Sequence, residues 1–319
     1  MKILYGIQGT GNGHITRSSK IIHRLKKLGC DVDILISGKF HQIDISHDIK
    51  FNFKGFNFSH NSDGSINKVK TFFDNSLYQF IKDTRLDLSE YDKIITDFEP
   101  ITSWAAKFQN REIWGVGNQY SFLSKKTPRP KSKSFIGEFV LKHMAPVTNP
   151  IGLHFEPYDD FINYPIIRDD LIVVTKSNLG HYTVYLPNFN LISILDKVTK
   201  FPKIKFHIFS NEVKSTLIYK NCQINPPNKD KFLISLTSSH GVITTGGFQT
   251  TSEALWCGKK LLVIPIVGQY EQLCNVESLT NLGVMSGTLE TISSFLILSD
   301  NVKLKWKDPT DKIIKEIIE

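Results

Sequence analysis

The sequence predicts an α/β protein in two halves, each a parallel β-sheet covered by helices. Three observations carry this. At 319 residues the chain is long enough for two domains, each with its own core. Residues 2–36 read as strand, Gly-rich turn, amphipathic helix and second strand, a βαβ unit whose parallel strands require a crossover helix. Residues 242–264 repeat that order, with a β-branched run, a Gly-Gly turn, a short helix and another apolar strand.

Composition narrows the class. An apolar fraction of 40% with 22% charged residues is that of an ordinary soluble globular protein. No apolar run approaches the ~20 residues of a membrane span. The opening MKILYGIQGTGNGH turns glycine-rich after Ile7, unlike a secretory leader, so the expected location is the cytoplasm. Cys30, Cys222, Cys257 and Cys274 form no CxxC pair, which disfavours structural zinc and fits a reducing compartment. Cys257 and Cys274 read as small hydrophobes. The net charge of +8 is mostly spread along the chain, without the aromatic strings of an RNA-binding sheet, so nucleic acid is not an expected partner.

In chain order, residues 2–7 form a strand, 9–14 a Gly-rich turn, 15–28 a helix stopped by Gly29, and 32–36 the second strand. A dinucleotide fingerprint read from Gly9 fails, because His14 stands at the third glycine position. Ser37-Gly38-Lys39 also replaces the acidic residue expected after the second strand, which argues against an oxidoreductase. Residues 40–90 are mixed: a hairpin-like Phe-rich piece at 51–56, a polar loop at 60–65 and a helix from about 69 to 82. The strand at 91–96 ends in Asp97-Phe98-Glu99-Pro100, and that at 113–116 in Gly117-Asn118-Gln119-Tyr120. Polar side chains just past the carboxyl ends of strands are where α/β sheets hold ligands.

Residues 124–133 place five cations in ten positions, ahead of a helix at 135–144 with Phe135, Ile136, Phe139, Val140 and His143 on one face. Over 124–144 this suits a peripheral contact with a membrane; a solvated loop before a core-facing helix is the other reading. Pro and Gly punctuation at 149–165 marks the domain boundary. The expected domains are 1–160 and 166–305, with a closing helix at 306–319. In the second, strands at 181–186 and 205–209, a helix from about 191 and a short helix at 232–238 precede the stretch on which the chain centres.

That stretch is residues 241–275. Gly246-Gly247 lets backbone approach a bound group. Thr250, Thr251 and Ser252 offer N-caps for a helix running to about Trp256 and closed by Gly258. The strand 260–264 ends at Pro265 and opens into a polar loop with Gln269, Glu271, Gln272 and Asn275. A glycine turn onto a helix N-terminus is an anion site, and Glu253 can accept hydrogen bonds from a sugar diol.

The pattern GGFxTxxEALxxGKxLLVIPxxGQxEQxxNxxxLxxLGV over 246–284 resembles the donor-binding half of GT-B glycosyltransferases that use nucleotide sugars. It is most similar to the group related to the N-acetylglucosaminyltransferase of peptidoglycan precursor synthesis. Gly246, Gly247, Thr250, Glu253, Pro265, Gln269, Glu271, Gln272, Asn275, Leu282 and Gly283 carry it. GTGNGHITRS at 9–18 resembles that group's first loop, and TDFEP at 96–100 its first-domain pattern. The resemblance implies a GT-B fold, two Rossmann-like domains with a cleft between them, the first binding acceptor and the second donor. It implies inverting, metal-independent transfer from a UDP-linked sugar to a hydroxyl of a cell-envelope glycan, lipid-linked sugar or small molecule. The nucleotide sugar is a substrate, and no cofactor is expected. Gly11, Asn12, Gly13, Thr245, Gly246, Gly247, Phe248, Thr250, Glu253, Gln269, Glu271 and Gln272 would then border the donor, and Asn118 and Gln119 the acceptor.

Inverting transfer needs a base for the acceptor hydroxyl. His14 is the candidate, since imidazole is the side chain that ordinarily titrates near neutrality. Asp97 would orient it, with Glu99 as alternative orienter or base. His14 bonding its own turn and Asp97 capping the helix from near Ile101 are the structural alternatives. Backbone N–H groups of 245–248 would hold the leaving diphosphate. No DxD pair is placed to hold a metal, since Asp31-Val32-Asp33 precedes a strand. A UDP-sugar 2-epimerase and a non-catalytic nucleotide-sugar-binding subunit are the competing functions.

Overall fold

The computed structural model describes residues 1–38, 48–55, 76–297, 302, 304 and 306–319. The chain divides into two compact units: residues 1–127, 131–168 and 307–319 form the first, residues 128–130 and 169–306 the second.

The first unit's sheet contains β1 (Lys2–Gln8), β2 (Asp31–Ser37), β3 (Ile49–Phe53), β4 (Lys93–Asp97), β5 (Trp114–Gly117), β6 (Asn149–Leu153) and β7 (Ile162–Asn163). Their order is β3-β2-β1-β4-β5-β6-β7, every neighbouring pair parallel. The chain winds outward from β1 through β2 and β3, then restarts on the other side with β4. This places a topological switch point between β1 and β4, where ligands of such sheets bind, and Ile7 pairs with Asp97 there. After its first residue β1 is buried throughout, as expected of a parallel strand covered on both faces. Leu4, Leu35, Ile94, Ile101 and Ala105 form the core on one face.

The helix Pro100–Phe108 lies hard against β1. A Cβ on Gly6 would fall 2.3 Å from Thr102 Oγ1 and 3.1 Å from Glu99 Oε2. Gly6→Ala is therefore expected to cost about 1–3 kcal/mol through overpacking, read as a lowered melting temperature. The closing helix Thr310–Ile318 also belongs to the first unit and buries Ile313, Ile314 and Ile317. It is fixed by Lys312 Nζ donating to Asn163 Oδ1 at 2.9 Å. Just before it, Asp308 takes a hydrogen bond from Lys20 Nζ at 2.8 Å.

The second unit's strands are β8 (His181–Tyr185), β9 (Lys205–Phe209), β10 (Leu217–Tyr219), β11 (Cys222–Asn225), β12 (Gly241–Thr244), β13 (Lys260–Val263) and β14 (Met285–Ser286). They lie in the order β10-β11-β9-β8-β12-β13-β14, parallel except for β10 against β11. The second switch point falls between β8 and β12, so the Gly-Gly turn after β12 starts at a ligand-binding position. Val184, Ile208, Ile243, Leu262 and Phe295 are fully or almost fully buried in the core.

Several expectations change. Residues 49–53 form an edge strand parallel to β2, not a hairpin. Residues 60–65 and the start of the helix expected from 69 lie outside the described residues; Leu77–Asp83 is helical and capped by Ser76. The presumed boundary at 149–165 supplies β6 and β7. Pro150 is tolerated because β7 pairs only with Gly152 and Leu153, leaving that side of Pro150 without a ladder to interrupt. The helix expected at 232–238 begins at Lys229, where Asn228 caps it. The helix expected from 250–252 begins at Phe248. Thr251 and Ser252 turn their hydroxyls back onto the Gly247 and Phe248 carbonyls instead of capping. The polar loop of Glu271, Gln272 and Asn275 is the start of the helix Tyr270–Asn281.

Candidate active site

At the first unit's switch point the chain passes from β1 into the helix Asn12–Lys27 through Gly11, whose φ of 112° suits glycine. His14, Arg17 and Ser18 then fall on one helical face by their spacing of three and four. All three meet Asp97 at the end of β4. His14 Nδ1 lies 2.8 Å from Asp97 Oδ1. Arg17 grips the carboxylate with both ends of its fork, Nε donating to Oδ2 at 2.7 Å and Nη2 to Oδ1 at 2.5 Å. Ser18 Oγ donates to Oδ2 at 2.9 Å. The Asp97 side chain is 0% exposed and that of Arg17 3%, whereas that of His14 keeps 12%. The carboxylate is a buried hub, and the imidazole is the member that reaches solvent.

Burial would raise the Asp97 carboxyl, but the charge of Arg17, His14 and their hydrogen bonds outweigh it and hold the group below its ordinary value. His14 Nδ1 also lies 2.8 Å from Arg17 Nη2. It can donate to Asp97 or accept from Arg17, and with one proton it cannot do both. Donation to Asp97 leaves Nε2 with a lone pair.

Glu99, two residues on, does a different job. It is fully buried and caps the helix Pro100–Phe108, accepting from Ile101 N at 2.8 Å, Thr102 N at 2.7 Å and Ser37 Oγ at 2.5 Å. The cap falls to Glu99 rather than Asp97, and these three bonds occupy the carboxylate that was an alternative orienter or base. Burial pushes Glu99 above its ordinary value against those hydrogen bonds. Phe98 between the two acids has φ 54°, a left-handed conformation that costs a phenylalanine roughly 1–3 kcal/mol, and packs edge-on to Tyr120 at 5.8 Å. That kink separates the roles of its neighbours. Glu99→Gln is expected to lower stability by about 1–3 kcal/mol while leaving turnover within a few-fold of the parent, checked by melting and steady-state rates.

β5 ends beside the same cluster. A Cβ on Gly117 would lie 3.1 Å from Asp97 Oδ1, 3.4 Å from Arg17 Nη2 and 3.4 Å from Gln119 Oε1. Asn118 is buried and donates to the Leu153 carbonyl at 3.1 Å, while among the described residues its Oδ1 and the Oδ1 of Asn12 have no hydrogen-bond partner.

In the second unit, Gln272 Oε1 takes hydrogen bonds from Gly246 N at 3.1 Å and Ile266 N at 3.2 Å, and its Nε2 donates to Gln269 Oε1 at 2.6 Å. Asn275 Nδ2 donates to the Gly246 carbonyl at 3.0 Å. These amides lock the loop after β12 to the loop after β13. Gly246 has no room for a Cβ, which would sit 2.9 Å from the Gln272 carbonyl oxygen. The Gly246 N–H expected to meet a diphosphate is thus occupied by Gln272. Gly247 is the N-cap of the helix Phe248–Trp256, without a side chain to close the first turn. Glu253 is 4% exposed, and Gln249 Nε2 donates to its Oε1 at 3.0 Å. Thr245 and Phe248 are buried, while Thr250 and Glu271 are half-buried.

The sequence profile of glycosyl transferase family 1 matches residues 1–297. The chain belongs to that family. Its fold is that of GT-B glycosyltransferases. The spinosyn rhamnosyltransferase SpnG complexed with spinosyn aglycone shares it at TM-score 0.58 and 14% identity, covering 100% of this chain and 96% of that one. MurG of Acinetobacter baumannii aligns at TM-score 0.57 and 12% identity over 99% of each chain. Arabidopsis thaliana UGT89C1 complexed with UDP aligns at TM-score 0.56 and 12% identity, over 100% of this chain and 94% of that one. No curated protein sequence matches the chain. The resemblance drawn from residues 9–18, 96–100 and 246–284 therefore holds for family, fold and enzyme class.

For this family 1 glycosyltransferase, the sequence reading missed Arg17 and Ser18. Both stand in the quoted GTGNGHITRS, and the helical spacing His14-x-x-Arg17-Ser18 facing a strand-end aspartate was the signal available.

Proposed function

We propose that the enzyme is an inverting glycosyltransferase using a UDP-linked sugar, with His14 as base for the acceptor hydroxyl. The observation that carries this is the solvent-reaching imidazole bonded at 2.8 Å to a fully buried carboxylate at the switch point of the first sheet. With Nδ1 donating to Asp97, Nε2 takes the hydroxyl proton as the acceptor oxygen attacks the anomeric carbon. The bond from that carbon to the diphosphate oxygen breaks on the opposite face, so configuration inverts. Asp97 stabilises the imidazolium that forms, and Arg17 and Ser18 keep Asp97 ionised and aimed.

In the second unit, the N-terminus of the helix Phe248–Trp256 supports diphosphate binding by its dipole and first-turn N–H groups. Glu253 is proposed to meet the ribose, and Gln269 and Glu271 the donor sugar, while Gln272 shapes the loop. The orphaned oxygens of Asn12 and Asn118 support a polar ligand at the first site, since buried unpaired acceptors are rare. A glycan or lipid-linked sugar is the proposed acceptor, and transfer is proposed to need no divalent ion.

SpnG is described in complex with thymidine diphosphate and UGT89C1 with UDP, so the base is the first point to test. In a thermal-shift series with UDP, dTDP, GDP, CMP and NAD, the expected result is a shift with UDP that survives EDTA. A shift with dTDP alone would change the donor, loss in EDTA would restore a metal, and a shift with NAD alone would overturn the proposal.

A further inference from the structure

The helix Phe135–His143 turns its apolar residues outward. Phe135 is 87% exposed, Phe139 59% and Ile136 45%, while Leu141 is the helix's buried residue. At 100° per residue these three share one arc of about 120° with Lys142 and His143. A surface helix ordinarily does the reverse, so the core-facing reading of this helix fails. The helix is firmly built at both ends: Ser134 Oγ accepts from Gly137 N at 3.1 Å, and Trp104 Nε1 donates to the Met144 carbonyl at 3.1 Å. Its exposed face therefore belongs to an ordered surface.

Charge says what covers it. Lys125, Lys131 and Lys133 are exposed in the segment that leads into the helix, and Lys142 is exposed on it. We propose that this face docks on an anionic lipid bilayer. Phe135, Ile136 and Phe139 enter the headgroup boundary while the lysines meet lipid phosphates. A second copy of the chain is a poorer occupant, since a two-fold contact would set the same cations against each other. No described helix is long and apolar enough to cross a membrane, and the attachment is peripheral.

Vesicle sedimentation of the full chain tests this without any sugar transfer, so it stands or falls apart from the donor's identity. Vesicles of phosphatidylcholine with phosphatidylglycerol should pellet the protein, and phosphatidylcholine alone should not. Raising salt from about 0.1 to about 0.5 M should lower binding roughly tenfold. The double variant Phe135→Ser/Phe139→Ser should melt like the parent, because both side chains are exposed, and should also bind roughly tenfold less. Lys131→Ser/Lys133→Ser should weaken binding in low salt and reduce its salt sensitivity. No binding to anionic vesicles, binding undiminished in the Phe double variant, or a concentration-dependent dimer that this variant dissolves would each overturn the proposal.

Discussion

His14→Ala is expected to lower turnover by about 10²–10⁴-fold, with the melting temperature and the UDP-induced shift close to the parent's. The magnitude follows from the proposed role, since loss of a positioned base leaves water to take the hydroxyl proton. The small effect on folding follows from the geometry: without the imidazole, Asp97 still holds the bidentate Arg17 bonds and the Ser18 bond. Steady-state rates with acceptor, together with donor hydrolysis without it, check the claim. Turnover within about threefold of the parent would remove His14 from the chemistry.

How much of this was legible beforehand depended on sequence distance. The two βαβ starts at 2–36 and 242–264 were readable because strand, glycine turn and helix are local patterns, and all of these elements formed within a few residues. The pairing of His14 with Asp97 spans 83 residues, yet each was nominated separately by its place past a strand end. Arg17 was passed over because an arginine within a helix reads as a solvated cation until the carboxylate opposite it is known. The confusion between Asp97 and Glu99 as cap needed the positive φ of Phe98, which no propensity foretells for a phenylalanine. Gln272 reads as a sugar contact because the Gly246 N–H that it accepts from is 26 residues away in sequence, brought there by tertiary packing. The outward face of Phe135–His143 has the periodicity of a core face, and periodicity alone does not say which side is buried.

The largest stability effect is expected at the hub itself. Asp97→Asn keeps the shape of the side chain and removes its charge, leaving the Arg17 guanidinium buried beside a neutral amide. Breaking one half of a buried pair costs about 3–5 kcal/mol, because the buried guanidinium loses the carboxylate that it grips with both ends of its fork. The folded Asp97 value lies below that of the unfolded chain, near 3.9, so its contribution is present above about pH 4 and is lost as pH falls through the lower folded value. The stability gap between parent and variant, followed by urea unfolding, should close as the solution is made more acid than about pH 4. A gap under about 1 kcal/mol near neutrality would mean that Arg17 does not depend on Asp97. Arg17→Met in the same background separates charge from packing. If the cost of Asp97→Asn lies in the carboxylate charge that the guanidinium loses, the double variant should be more stable than the single one, since replacing both members of a buried pair is far less costly than removing one.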